Sequence, residues 1–258
     1  MIKKTPPLAA IDGDAVVKEA LRRIKEPSRR VFLQRSLTLG GLSLLTGCAI
    51  VDEESVEDAL MKVSRFNDQV QGWLFDPKLL APTYPESMIT RPFPFNAYYG
   101  EDEIRQVEED SYRLEVTGLV ADKHSWTLSE LQALPQADQI TRHICVEGWS
   151  AIGKWGGVPF SSFLSRVGAD TSAKYVGFKC ADDYYTSIDM PTALHPQTLL
   201  TLSYDGQPLP PKYGFPMKLR MPTKLGYKNP KHIQAIFVTN TYPGGYWEDQ
   251  GYNWFGGS

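Results

Sequence analysis

The chain has 258 residues and a mass of 29.0 kDa, enough for one large domain or two small ones around a buried core. Apolar residues at 42% and charged residues at 22% exclude wholesale disorder and a polytopic membrane protein. A net charge of −3 excludes a nucleic-acid binder with a broad basic face, but the charge is uneven: residues 1–47 carry nine Lys/Arg against four Asp/Glu, and the remaining 211 carry 18 against 26.

That basic start reads as an address. Ser28-Arg29-Arg30-Val31-Phe32-Leu33 precedes the apolar run Leu37 to Leu45, which is about half the ~20 residues a bilayer crossing needs. The adjacent arginines followed by Phe-Leu resemble a twin-arginine export signal, which carries proteins already folded and so points to a cofactor loaded in the cytoplasm. Leu45-Thr46-Gly47-Cys48 resembles a bacterial lipoprotein box, which predicts a lipidated Cys48, a periplasmic location and a tether to the membrane surface. The chain therefore divides into a signal over 1–47, a tether and irregular segment over 48–92, and a folded domain over 93–258.

Val51 to about Arg65 is charged and reads as a short helix or a tether. Asp76 to Pro94 holds five prolines and predicts irregular surface chain. Tyr112-Leu114-Val116 alternates at period two and predicts a strand ending at Gly118. Thr127-Leu-Ser-Glu130 fits a capping box for a short helix stopped by Pro135. Strands are expected over Ile140–Val146, Lys174–Cys180, Tyr184–Asp189, Leu199–Tyr204, Met217–Met221 and His232–Asn240, with a helix over Pro159–Val167. Strands outnumber helices at uneven spacing, so the fold class is α+β, a β-rich mixed single domain.

The chemistry begins with exclusions. No glycine-rich nucleotide loop, Cys-x-x-Cys pair or His-Glu-x-x-His occurs, and Gly148-Trp-Ser150 lacks the second glycine of a nucleophile elbow. Cys145 and Cys180 remain. They allow a disulfide in an oxidising compartment, a thiol–disulfide protein, or a thiolate ligand for a soft metal. Arg142-His143 beside Cys145 adds two cationic neighbours that would favour the thiolate.

Arg142-x-x-Cys145-Val-Glu-Gly-Trp-Ser150 and Trp155-x-Gly157-Val-Pro159 resemble the molybdopterin-binding domain of the sulfite oxidase superfamily, and within it the periplasmic methionine-sulfoxide-reductase catalytic subunits. The similarity continues in order through Ala173 to Phe178, His195 to Leu200, Gly206 to Pro211 and Gly226-Tyr-Lys228. The resemblance implies a sulfite-oxidase-like fold and one molybdenum held by one pyranopterin and by the thiolate of Cys145. It implies cofactor contacts from Asn96, Tyr98 and Tyr99, and from Cys180 where relatives have a threonine. Lys218 stands in place of a family arginine and, with Lys228 and Lys231, is expected to neutralise the terminal phosphate. Tyr213 replaces a family asparagine. His143 is expected to tune the site or face substrate, and His195 to be structural. The aromatic end, Tyr242 to Phe255, is expected to pack in the core, cover the cofactor mouth or dock a partner.

The resemblance also implies two-electron oxygen-atom transfer to or from a small substrate, with electrons exchanged through a membrane haem b subunit. Reduction of a sulfoxide or N-oxide is favoured over sulfite oxidation, because Arg142 is the lone arginine of the local motif, with Arg166 and Arg220 able to contribute after folding. The other alternative is a cofactor-free binding or assembly lipoprotein.

Overall fold

A computed structural model describes residues 53–258, with side chains from Leu60 onward. The export signal around Arg29-Arg30 and the lipoprotein box at Cys48 lie outside the described residues. The first element, α1, runs over Glu53–Leu74 and is longer than the sequence pattern predicts. It extends past Arg65 because no proline interrupts it, and Asp76-Pro77 ends it. Among the described residues no helix is long and apolar enough to cross a membrane.

The proline-rich stretch from Asp76 to Pro94 is irregular, as expected, apart from a single 3-10 turn at Glu86–Met88. It is nevertheless tied down. Ala81 exchanges hydrogen bonds with the Gln197 amide at 2.8 and 3.0 Å, and Thr83 bridges Thr141.

From Ala59 to Ser258 the chain forms one compact unit with two sheets. Sheet B has the order β1-β9-β4-β5, from β1 (Glu115–Gly118), β4 (Tyr175–Cys180), β5 (Tyr185–Asp189) and β9 (Ile233–Thr239). β1 runs parallel to β9, with Val116 opposite Ile236, and the other pairs in sheet B are antiparallel. Sheet A has the order β2-β3-β6-β7, from β2 (Ala137–Ile144), β3 (Ser150–Pro159), β6 (Leu199–Tyr204) and β7 (Gln207–Pro208), with β8 (Lys218–Arg220) also on β6. The Asp205-Gly206 turn between β6 and β7 has φ of 50° and 77°, the left-handed pair a two-residue hairpin demands.

Among the described residues the three other α-helices are short: α2 over Leu128–Gln132, α3 over Phe160–Arg166 and α4 over Met190–Ala193. The capping box of α2 forms as predicted, with Glu130 N donating to Thr127 Oγ1 at 3.2 Å and Thr127 N to the Glu130 carboxylate at 2.8 Å. Leu128 and Leu131 of α2 and Phe160, Phe163 and Leu164 of α3 enter one core with Leu200 and Leu219 of sheet A and Val176, Phe178 and Ile236 of sheet B. A second, aromatic core gathers Phe93, Trp155, Leu209 and Tyr213 beneath the other part of sheet A. The chain thus has the mixed, sheet-rich fold expected of the sulfite-oxidase-like class.

Like the two-residue β7, β3 is absent from the sequence reading. Its Gly153, Gly156 and Gly157 lower strand propensity, but each leaves room for something else: the Trp155 indole, the Asp138 and Ser203 side chains, and the Leu200 carbonyl.

Candidate functional site

β2 and β3 pair antiparallel up to Ile144 opposite Ser150, so residues 145–149 make a five-residue loop. Cys145 N donates to Trp149 O at 2.9 Å and Gly148 N to Cys145 O at 3.1 Å. Gly148 turns the chain at φ 94°, a conformation that costs any side-chain-bearing residue, and this fixes where the thiol sits. Glu147 accepts from Trp149 Nε1 at 2.9 Å and from Cys145 Sγ at 3.7 Å.

The thiol opens on a cavity of about 800 Å³, part of it open to solvent. Six of the predicted site residues line this cavity together: Asn96, Tyr98, Tyr99, Cys145, Lys218 and Lys231. Tyr98 donates to the Asp182 carbonyl and Tyr99 to Asp182 Oδ2 at 3.1 Å, so the turn between β4 and β5 holds both rings. Asn96 Nδ2 lies 2.9 Å from His143 Nε2, while His143 Nδ1 is buried without a partner. Burial, then the cations Arg220, Lys218 and Lys231, push the His143 pKa well below its ordinary value, so the ring is neutral.

Lys218 is buried with its ammonium 4.7 Å from the centre of the Trp155 ring, and it forms no salt bridge or hydrogen bond among the described residues. Burial, with Lys231 and Arg220 adding repulsion, drives its pKa far down. Lys231 donates to Lys212 O at 2.9 Å and sits 4.6 Å over the Phe95 ring, and burial lowers its pKa to about 8. Lys218, buried, and Lys231, half-buried, therefore face the cavity that holds the thiol without a salt bridge among the described residues, and a bound anion would favour their charged form. That is a strongly anion-seeking wall.

Two predicted residues lie elsewhere, which corrects the expected site. Lys228 turns away from the cavity into a buried ion pair with Glu248 and donates to Ser187 O at 2.7 Å. The reason is local: it closes a 3-10 turn, Gly226–Lys228, whose Tyr227 takes the cavity side instead. Cys180 continues the inward alternation of Val176 and Phe178 and is buried in the main core, where burial raises its thiol pKa far up. Both cysteines are free thiols.

The expected cationic help for Cys145 is also overturned. Arg142 lies on the opposite face of β2, over the Tyr84 ring at 5.4 Å, and borders a separate groove. Burial pushes the Cys145 thiol up, and the Glu147 carboxylate adds to this. Of the other arginines, Arg166 faces Asp122 at the surface, and Arg220 is buried with its Nη2 donating 2.6 Å to Arg142 O. No arginine lines the cavity. His195 is structural, within 3.1 Å of Leu79 O, and Tyr213 is a core residue donating to Phe93 O.

Sequence reasoning missed Tyr184, Tyr227 and Asn229 on the cavity wall, and offered Trp247 and Tyr252 only as part of the aromatic end expected to pack in the core, cover the mouth or dock a partner. The one available signal was the aromatic density between Tyr242 and Phe255. From that segment, Trp247 and Tyr252 stack at 5.0 Å beside the mouth, and Tyr246 lies 4.8 Å from Tyr98.

Residues 101–247 match the family model described as oxidoreductase molybdopterin binding domain. Over 99% of both chains, the sequence is 76% identical to the putative protein-methionine-sulfoxide reductase subunit YedZ1 of Azospira oryzae. It is 34% identical to the protein-methionine-sulfoxide reductase catalytic subunit MsrP of Xanthomonas campestris, over 54% of this chain and 48% of that one. The sulfane dehydrogenase SoxCD of Paracoccus pantotrophus shares the fold, with a TM-score of 0.50 at 19% identity, over 54% of this chain and 40% of the other.

Proposed function

Because the chain belongs to the oxidoreductase molybdopterin-binding domain family and is a molybdopterin-dependent oxidoreductase, we propose that it reduces methionine sulfoxide carried on proteins, using the cavity at Cys145. The observation that carries the site assignment is the meeting of one cysteine thiol and two lysine side chains, Lys218 buried and Lys231 half-buried, on a single cavity. A molybdenum–pterin phosphate needs these opposed ends: a soft sulfur for the metal and fixed positive charge for the phosphate. In this reading Cys145 holds the metal as thiolate, Lys218 and Lys231 hold the phosphate, and Asn96, Tyr98 and Tyr99 border the pterin.

The bound group supplies oxygen-atom transfer coupled to two electrons. The chain's own residues do the rest. A thiol whose pKa burial raises stays protonated without a metal, and metal binding drives the proton off. His143, neutral and in contact with Asn96, fixes that amide by using one ring nitrogen. Tyr98, Val146, Trp247 and Tyr252 of the lining offer aromatic and aliphatic surface to the hydrocarbon part of a methionine sulfoxide side chain. An arginine-free lining does not suit the sulfite dianion, so the neutral sulfoxide is the better substrate. Per turnover, a sulfoxide, two protons and two electrons give a thioether and water.

The electrons come from a membrane haem partner, and the protein acts in the periplasm after twin-arginine export, held at the membrane through Cys48. These readings rest on the signal and lipoprotein motifs in residues 28–48 and on the relatives' description as reductase subunits.

Cys145→Ser tests the centre of the proposal. The variant should fold and keep its pterin phosphate while sulfoxide turnover drops at least about 100-fold, the scale on which even outer metal-site changes act. Turnover within about tenfold of wild type overturns the assignment. Elemental analysis should find one molybdenum per chain, and molybdenum-loaded protein that oxidises sulfite but leaves peptide methionine sulfoxide untouched would refute the substrate.

A further inference from the structure

Helix α1 is amphipathic in an inverted sense. The side chains turned toward the body are Met61, Ser64, Asp68, Gln71 and, just past the helix, Phe75, all half-buried. Asp68 accepts from Asn253 Nδ2 at 2.7 Å and from Phe255 N at 3.0 Å, and Phe75 packs on Phe255 with ring centres 5.6 Å apart. Polar contacts thus fasten the helix to the C-terminal segment.

The apolar side chains point out. Leu60, Val63, Phe66, Val70, Trp73 and Leu74 are all exposed, Phe66 by 62% and Trp73 by 82%. At about 100° per residue they fall within an arc of about 140°, and Lys62, Arg65 and Asp68 all fall outside it. Asn67 is the single polar residue within the arc. Beyond the helix the apolar surface resumes at Leu79 and Leu80, exposed by 69% and 57%. A run this long is well beyond the scattered apolar residues of an ordinary protein surface.

We infer that this face of α1, with Leu79 and Leu80, lies in the interfacial layer of a phospholipid bilayer, parallel to its plane. Three features select lipid as the occupant. Only four residues separate Cys48, the proposed lipid anchor, from Glu53, a reach of at most about 17 Å. A helix anchored so close to a membrane-directed segment has lipid within its reach. Lys62 borders the arc and Lys78 stands between Leu74 and Leu79, which supplies ammonium groups beside the apolar strip for lipid phosphates. Trp73 at the end of the arc is the side chain that headgroup regions favour. The inference draws on the proposed tether at Cys48 for proximity, and it is independent of the substrate reading.

The test uses native holoprotein reconstituted into vesicles of phosphatidylethanolamine and phosphatidylglycerol, three to one, with or without lipid brominated high on the acyl chain. Comparison with Trp73→Phe isolates the emission of Trp73 from that of the other five tryptophans. Brominated lipid should reduce the Trp73 component at least about twofold. The variant Phe66→Glu/Val70→Glu should abolish that quenching while sulfoxide turnover with a soluble artificial electron donor stays unchanged, which shows the variant is folded. Identical quenching in wild type and Trp73→Phe overturns the inference. So does burial of Trp73 that appears in native membranes but not in lipid-only vesicles, because the occupant is then a membrane protein. Turnover on other substrates alone would refute the proposed function and leave the quenching result standing.

Discussion

Lys231 has a pKa near 8 because burial outweighs the pull of Asp182 and Glu101. An anion that needs this ammonium meets it fully charged below pH 8 and increasingly neutral above. Retention of the pterin phosphate should therefore be flat at lower pH and fall as pH rises through 8, and Lys231→Met should weaken and flatten the profile. Dialysis of holoprotein across pH, followed by fluorescence of the released pterin, measures it. The unloaded fold responds with the opposite sign. Between about 8 and the ordinary lysine value of 10.5 the unfolded chain binds more protons, so Lys231 contributes stability that grows with pH across that window. Gly226 offers a second probe. A Cβ there would lie 2.8 Å from His143 Nε2 and 2.9 Å from Asn96 Nδ2, so Gly226→Ala should split their contact and lower pterin affinity about tenfold. An unchanged dissociation rate would show that the contact carries nothing. At this scale the sequence was only half informative. The Cys145 motif was readable because its loop and glycine are local, whereas three lysines in one stretch carry no mark of which side chains turn inward. Lys218 and Lys231 face the cavity and Lys228 does not, a matter of turn geometry that only packing resolves.

The Lys228–Glu248 pair joins two elements, the 3-10 turn carrying Tyr227 and the C-terminal segment carrying Trp247, both on the cavity wall. Thr186 Oγ1 also donates to Glu248 Oε1 at 2.7 Å, while Glu248 Oε2 stays unpartnered. Removing one charge strands the other, at a cost of about 3–5 kcal/mol, so Glu248→Gln should lower Tm by roughly 10 °C. Lys228→Met/Glu248→Leu should recover most of that loss, and calorimetry of the two variants decides between a charge effect and mere loss of packing. Elements with a local cause were legible: α2 from its Thr127–Glu130 box, and β6 from the apolar run Leu199–Tyr204. β3 was hidden because Gly156 and Gly157 make room for Asp138, Ser203 and Leu200, all distant in sequence, whereas the C-terminal part of α1 carries a helix-period apolar stripe that the sequence reading did not follow past Arg65.

Across the whole molecule, one core takes side chains from both sheets, with Leu200 and Leu219 of sheet A beside Val176 and Ile236 of sheet B. The sheets should therefore melt together. Far-ultraviolet circular dichroism and tryptophan emission should give coincident transitions in the cofactor-free protein, and two separated midpoints would show that each sheet stands alone. The fold class was accessible from strand count, but the parallel union of β1 with β9 was not, because no local pattern announces a partner 120 positions away: Glu115 pairs with Ala235. That union has a further consequence, one of timing. β9 separates β1 from β4, so sheet B stays open until the ribosome has delivered nearly the entire chain, and the cavity draws on residues from Asn96 to Tyr252. A nascent fragment holds no finished pterin berth. Cofactor insertion must therefore follow synthesis of the chain through Tyr252, which leaves an interval in which the fold is present and its berth still empty.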